Sequence, residues 1–209
     1  MNNSFECAHR VKFDLFLRFG MIAAAGDRHL AEFMPVWYTK SPEMVKEWLF
    51  GLTSVDWRDG DLAKRLARSE ALISGEEEIE MKPSGEEGHL LIKALLGLGS
   101  LVSNVNVPNV GQVANLPPGA VVETNALFRR GEIQPVSAGA IPSNVLPLVS
   151  RHAANQRNTM LAAISRDYKL ALTTFLNDPM TAALTPVQGD GLLKTMLRNT
   201  KNYLEGWDL

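Results

Sequence analysis

Asp27, Arg28, His29 and Glu32 fall within six positions, directly after Ala23-Ala-Ala-Gly26. A carboxylate can accept a proton, a guanidinium can grip a carboxylate through paired bonds, and an imidazole works as acid or base near neutral pH. The small residues before them would let a ligand approach the backbone. The same residues have an ordinary reading too, in which Asp27 caps a helix and Arg28 pairs with Glu32 one turn on. A second polar concentration comes mid-chain, where Asn104, Asn106, Asn109 and Asn115 lead into Leu116-Pro-Pro-Gly119. Asparagine amides there either satisfy a tight turn or hydrogen-bond a polyhydroxylated ligand. His89 and His152, each on a predicted helix, read as capping or surface residues.

Helices dominate the elements that must position these groups. Val11, Leu15 and Phe19 recur at helical spacing in a segment that stops at Gly20. Ser41 followed by Pro42 opens a second helix, to Phe50. An amphipathic helix is predicted over 61–73, a solvated acidic loop over 76–88 and an apolar helix over 89–98. Alternation predicts strands over 101–107 and 120–128, and a turn at Arg130-Gly131 leads into a third over 132–136. Helical patterning then resumes over 145–175, 181–183 and 191–204, with a break at Asn177-Asp178-Pro179. The expected class is α+β, helices on a small sheet. With no repeat and no low-complexity linker, a single domain over 1–209 is expected.

The chain has 209 residues, 45% hydrophobic and 21% charged, with a formal net charge of -2. The charge balance and the scattered basic residues give no reason to expect nucleic acid. Cys7 is a single cysteine with no internal disulfide partner, and Met1-Asn-Asn-Ser-Phe-Glu6 lacks the pattern of a signal peptide, which points to the cytoplasm. The longest apolar region, 90–102, contains Lys93 and is too short to cross a bilayer, so no membrane partner is expected.

Asn106-Val-Pro-Asn109, Gly111, Leu116-Pro117, Ala120-Val-Val-Glu123, Gly131, Ile133, Pro135 and Asn177-Asp-Pro-Met-Thr181 together resemble the C-terminal half of the family-four glycoside hydrolases. That family is the NAD- and manganese-dependent group of α-galactosidases, α-galacturonidases and 6-phosphoglucosidases. Upstream, the run from Arg18 to Pro35 is similar to the family's segment that closes over the sugar. It resembles the α-galactosidase and α-galacturonidase branch most. The resemblance implies a lactate/malate dehydrogenase-like C-terminal domain, mostly helical with a small antiparallel sheet. It also implies an unusual hydrolysis, outside the two-carboxylate scheme. NAD transiently oxidises the sugar at C3, a base removes the acidified C2 proton while the metal stabilises the enolate, and the aglycone leaves by elimination. By this motif Asp27 falls where some α-glycosidases of the family carry an aspartate base. Arg28 and His29 stand beside the sugar, Arg28 suits a substrate carboxylate, and Asn109 is a further substrate contact. An α-galacturonide is the preferred substrate, with an α-galactoside next.

The same comparison shows what this sequence lacks. The family begins with a Rossmann domain, and no G-x-G-x-x-G opens a βα unit here. The family's metal-binding cysteine and histidine lie upstream of the Gly-Asp segment. Cys7 and His9 are too close to Asp27 to match them, and two side chains make no closed site. The chain alone is therefore expected to bind neither NAD nor Mn2+ and to need a separate N-terminal half. An apolar face that once met that half would favour a homo-oligomer. Two other readings stand beside this one: a non-catalytic sugar-binding or oligomerisation fragment, and a wider dehydrogenase-like domain with different chemistry.

Overall fold

The computed structural model describes residues 9–82 and 85–207. They form eight α-helices, two short 3-10 helices and one three-stranded antiparallel sheet, the α+β architecture expected. The helices are α1 (Arg10–Phe19), α2 (Asp27–Phe33), α3 (Pro42–Glu47), α4 (Val55–Ser74), α5 (Gly88–Leu95), α6 (Leu146–Ser165), α7 (Tyr168–Leu176) and α8 (Pro186–Asn199). The strands β1 (Leu101–Pro108), β2 (Val121–Arg129) and β3 (Glu132–Pro135) pair in chain order. The chain divides into two compact units. One gathers the chain up to Phe50, Ser103–Ala126 and everything from Gln134 on; the other holds Gly51–Val102 and Leu127–Ile133.

In the first unit, α1 buries Val11 and Leu15 against Leu30 and Ala31 of α2, with Met34, Tyr38 and Phe50 completing the cluster. Gly20 ends α1 in the left-handed conformation, at φ 72°, where its amide bonds back to Phe16 O at 2.8 Å. Ser41 caps α3 by accepting from Met44 N, with Pro42 in the first turn. A smaller cluster of Val113, Leu116 and Val122 forms beside Ile141, Leu146 and Val149. On β2, Val122, Thr124, Ala126 and Phe128 point to the buried side and alternate with exposed residues.

The long helix expected over 145–175 is two helices. Arg166 takes a left-handed conformation at φ 55°, and Asp167 accepts from Lys169 N and Leu170 N to start α7. The apolar periodicity runs through this junction, but the cap makes a new start cheaper than continuation. The last helix begins at Pro186 rather than Gly191, because Thr185 and Gln188 form a reciprocal capping box. The segment expected as 181–183 is a 3-10 turn over Pro179–Thr181. Tyr168 on α7 donates to Asp190 on α8 at 2.7 Å, and burial followed by that carboxylate pushes its hydroxyl up to about 12.

In the second unit, α4 begins at Val55 rather than Asp61, because Ser54 accepts from Trp57 N. None of its residues is buried. Val55, Leu62, Leu66 and Ile73, spaced by seven, four and seven, form an apolar stripe that is exposed along the helix.

Replacing Asp167 by Ala removes the two capping bonds that separate α6 from α7. The expected loss is about 1 kcal/mol of stability, read from urea unfolding.

Candidate functional site

The site begins with a buried carboxylate. Asp27 is 6% exposed and opens α2, but the helix it caps is α1. Its Oδ2 accepts from Val11 N at 2.8 Å and its Oδ1 from Lys12 N at 3.1 Å. These are the second and third amides of α1, the donors that a local cap side chain would ordinarily satisfy. His9 occupies the cap position of α1 and makes no side-chain cap bond. Asp27 thus performs the function from fifteen and sixteen residues away, with its charge at the positive end of the helix dipole. The expectation that it caps its own helix is corrected: Gly26 occupies that position, without a side chain to cap with.

Arg28 and His29 follow in the first turn of α2. Arg28 is half-buried and His29 exposed. His29 Nδ1 lies 3.5 Å from Glu32 Oε2, an ion pair when the ring is protonated. His9 Nδ1 lies 3.9 Å from Asp27 Oδ1, which places an imidazole beside the carboxylate. Cys7 lies outside the described residues. His152 reaches α2 from α6, its Nε2 3.0 Å from Phe33 O and its ring edge-on to Phe33 at 5.0 Å. From sequence it reads as a capping or surface residue, and a contact across 119 residues leaves no local signal.

Asn109 stands on a different loop. It is 2% exposed and its amide is spent on backbone: Nδ2 donates to Val113 O at 3.0 Å and Leu116 O at 2.9 Å, and Oδ1 accepts from Gly111 N and Val113 N. Its own amide and carbonyl bond Ala120 O and Gly119 N. The side chain holds the 109–120 loop closed, so among the expected site residues only Asp27, Arg28 and His29 are brought together. Among the described residues, no group of three or more His, Cys, Asp or Glu side chains could hold a metal ion. No Gly-rich phosphate turn opens a βα unit in the sequence either.

Residues 1–181 match the family 4 glycosyl hydrolase C-terminal domain. The chain belongs to that family. It is 58% identical over its full length to an alpha-galacturonidase of Thermoanaerobacterium saccharolyticum, of which it spans 45%. It is 51% identical, over 84% of its length and 39% of the relative's, to an alpha-galacturonidase of Bacillus subtilis. The fold superposes with TM-score 0.84 on a Bacillus subtilis crystal structure described as a glucosidase, at 46% identity over 93% of this chain and 46% of that one. It superposes with TM-score 0.66 on the 6-phospho-beta glucosidase of Thermotoga maritima, solved with manganese, NAD+ and glucose-6-phosphate, at 21% identity over 91% and 44%. The family 4 chain therefore spans less than half of each of these proteins. No described helix is long and apolar enough to cross a membrane.

The cap role of Asp27 predicts a graded response. Asp27→Ala, which strands two amides at a buried helix start, is expected to cost about 2 to 3 kcal/mol, and Asp27→Asn, which keeps one acceptor, about 1. Chemical denaturation measures both. Amide exchange in each variant should speed up first at Val11 and Lys12.

Proposed function

We propose that this chain is the sugar-facing C-terminal part of an NAD- and Mn2+-dependent glycosidase acting on α-galacturonides, completed by a dinucleotide-binding half on other residues. One observation carries this reading. The first turn of α2 presents Asp27, Arg28 and His29 in sequence, in a chain 58% identical across its length to an alpha-galacturonidase.

Asp27 is the base for the C2 proton. A carboxylate has about four acceptor sites, and the two amide bonds from α1 leave part of that capacity for a proton. Those bonds also fix where the carboxylate lies, and a general base depends first on position. When the proton leaves C2, its electron pair forms the C1–C2 double bond, and the C1–O bond breaks with the pair leaving on the aglycone oxygen. Arg28 receives the uronate carboxylate through charge-assisted bonds, and His29 lies on the same turn beside the ring. Asn109 contributes by fixing the 109–120 loop. NAD would supply the oxidation that acidifies C2 and manganese the charge that steadies the enolate, both held by residues outside this chain; the 6-phospho-beta glucosidase of Thermotoga maritima is solved with both.

The uncovered stripe of α4 supports association, either with the missing half or with further copies of the chain. Replacing Leu62 and Leu66 by Glu is expected to lower the mass seen by sedimentation equilibrium, with the far-UV circular dichroism unchanged. A wild-type chain that already sediments as a monomer would remove the homo-oligomer from this proposal.

In enzyme reconstituted with its N-terminal half, Asp27→Asn should abolish solvent exchange at substrate C2 and keep substrate affinity. Arg28→Ala should weaken a galacturonide by about 1.5 to 3 kcal/mol and leave the matching galactoside nearly untouched. Retained C2 exchange would remove Asp27 as base, and equal losses for both sugars would remove the uronate assignment.

A further inference from the structure

At the other end of α1, Asp14 and Arg18 meet Trp37, Tyr38 and Trp48 around a cavity of 280 Å³, near the lower limit for small-molecule sites. Tyr38 is almost wholly buried and stands edge-on between the two tryptophans, 6.4 Å from Trp37 and 4.7 Å from Trp48. Trp37 stacks on Phe19 at 6.5 Å, yet 45% of its surface stays exposed. An indole held on two sides and open on the rest is a preformed shelf.

The polar groups beside the shelf are only partly used. Arg18 Nε and Tyr38 Oη both donate to Asp14 Oδ2 at 2.7 Å. Among the described residues, Asp14 Oδ1 accepts no hydrogen bond. The Arg18 side chain is 62% exposed, which leaves the outer edge of its guanidinium to solvent. The bond from Arg18 holds the Asp14 carboxyl below its ordinary range, with Tyr38 acting in the same direction, so the pair stays ionic. Its charges cancel, and among the described residues no other charged side chain lines the cavity.

A shelf of indole with an adjacent donor and acceptor matches a pyranose, which has an apolar C–H face and adjacent hydroxyls at its edge. We propose that this pocket binds one neutral pyranose residue, its C–H face on Trp37 and two neighbouring hydroxyls shared between Arg18 and Asp14 Oδ1. The absence of net charge favours a neutral sugar over an acidic one. The pocket takes residues 14 and 18 of α1, while Asp27 holds residues 11 and 12, a separation of about 7 Å of helix rise between the middles of the two pairs. A short oligosaccharide covers that distance, which makes this the place for a sugar beyond the galacturonate. The choice of saccharide as ligand rests on the glycosidase reading above.

The test is titration of the full chain, followed by the indole N–H resonances in nuclear magnetic resonance. The probes are methyl α-galactopyranoside, methyl β-glucopyranoside, galacturonate and, as a polyol without a ring, glycerol. Saturable shifts of the Trp37 and Trp48 resonances by the methyl pyranosides are expected, weaker for galacturonate and non-saturable for glycerol. Trp37→Ala, at a half-exposed position, should weaken binding about tenfold, and Arg18→Gln severalfold, both with unchanged thermal melting. The proposal is overturned by no saturable shift in the wild type, by equal affinity in Trp37→Ala, or by tighter binding of galacturonate than of the neutral sugars. Failure here leaves C2 exchange on simple galacturonides intact, whereas failure of that exchange leaves this binding unchanged, so the two readings are separable.

Discussion

The carboxylate of Asp27 holds two helices in one arrangement, and the candidate site depends on it. Its two oxygens take the second and third amides of α1 while its backbone begins α2. Val11 and Leu15 can then pack on Leu30 and Ala31, and that cluster supports Met34 and Tyr38 further along the chain. A helix start buried without partners would leave donors stranded at a cost of about 1 to 3 kcal/mol each. The cap therefore sets the direction of α1, and through it the places of Arg28 and His29 at one end and of Asp14 and Arg18 at the other.

Much of this was readable where the controlling interactions are local. Gly20 as a left-handed stop, Ser41-Pro42 as a start and the alternation of β2 each follow from residues within one turn or one strand. The α6–α7 break was written in Asp167 as a cap, but an apolar period that continues past Arg166 hid it. The ownership of Asp27 by α1 could not be read at all, because a bond over fifteen or sixteen residues leaves no periodicity. The same holds for Tyr38 on Asp14 and for His152 on Phe33. Asn109 reads in the sequence as either a turn former or a ligand contact, and in the fold its side-chain bonds go to backbone groups of its own loop.

The family match and the residue chemistry meet at a division of labour. A chain that spans 45% of an alpha-galacturonidase carries an Asp-Arg-His turn and an aromatic pocket, while its described residues offer no three-ligand metal cluster. The apolar stripe of α4 fits the same picture, since exposed Val55, Leu62, Leu66 and Ile73 are costly on a surface that meets only water.

A carboxylate that caps a helix and also accepts a proton couples the two tasks. In the proposed reaction, the proton from C2 turns one acceptor oxygen of Asp27 into a hydroxyl and reduces what the group can offer to Val11 and Lys12. The same two bonds fix where the carboxylate stands, and position is what a general base needs first. Placing the proposed base on a helix it must also hold therefore ties the geometry of the site to the fold, without any further residue at the sugar.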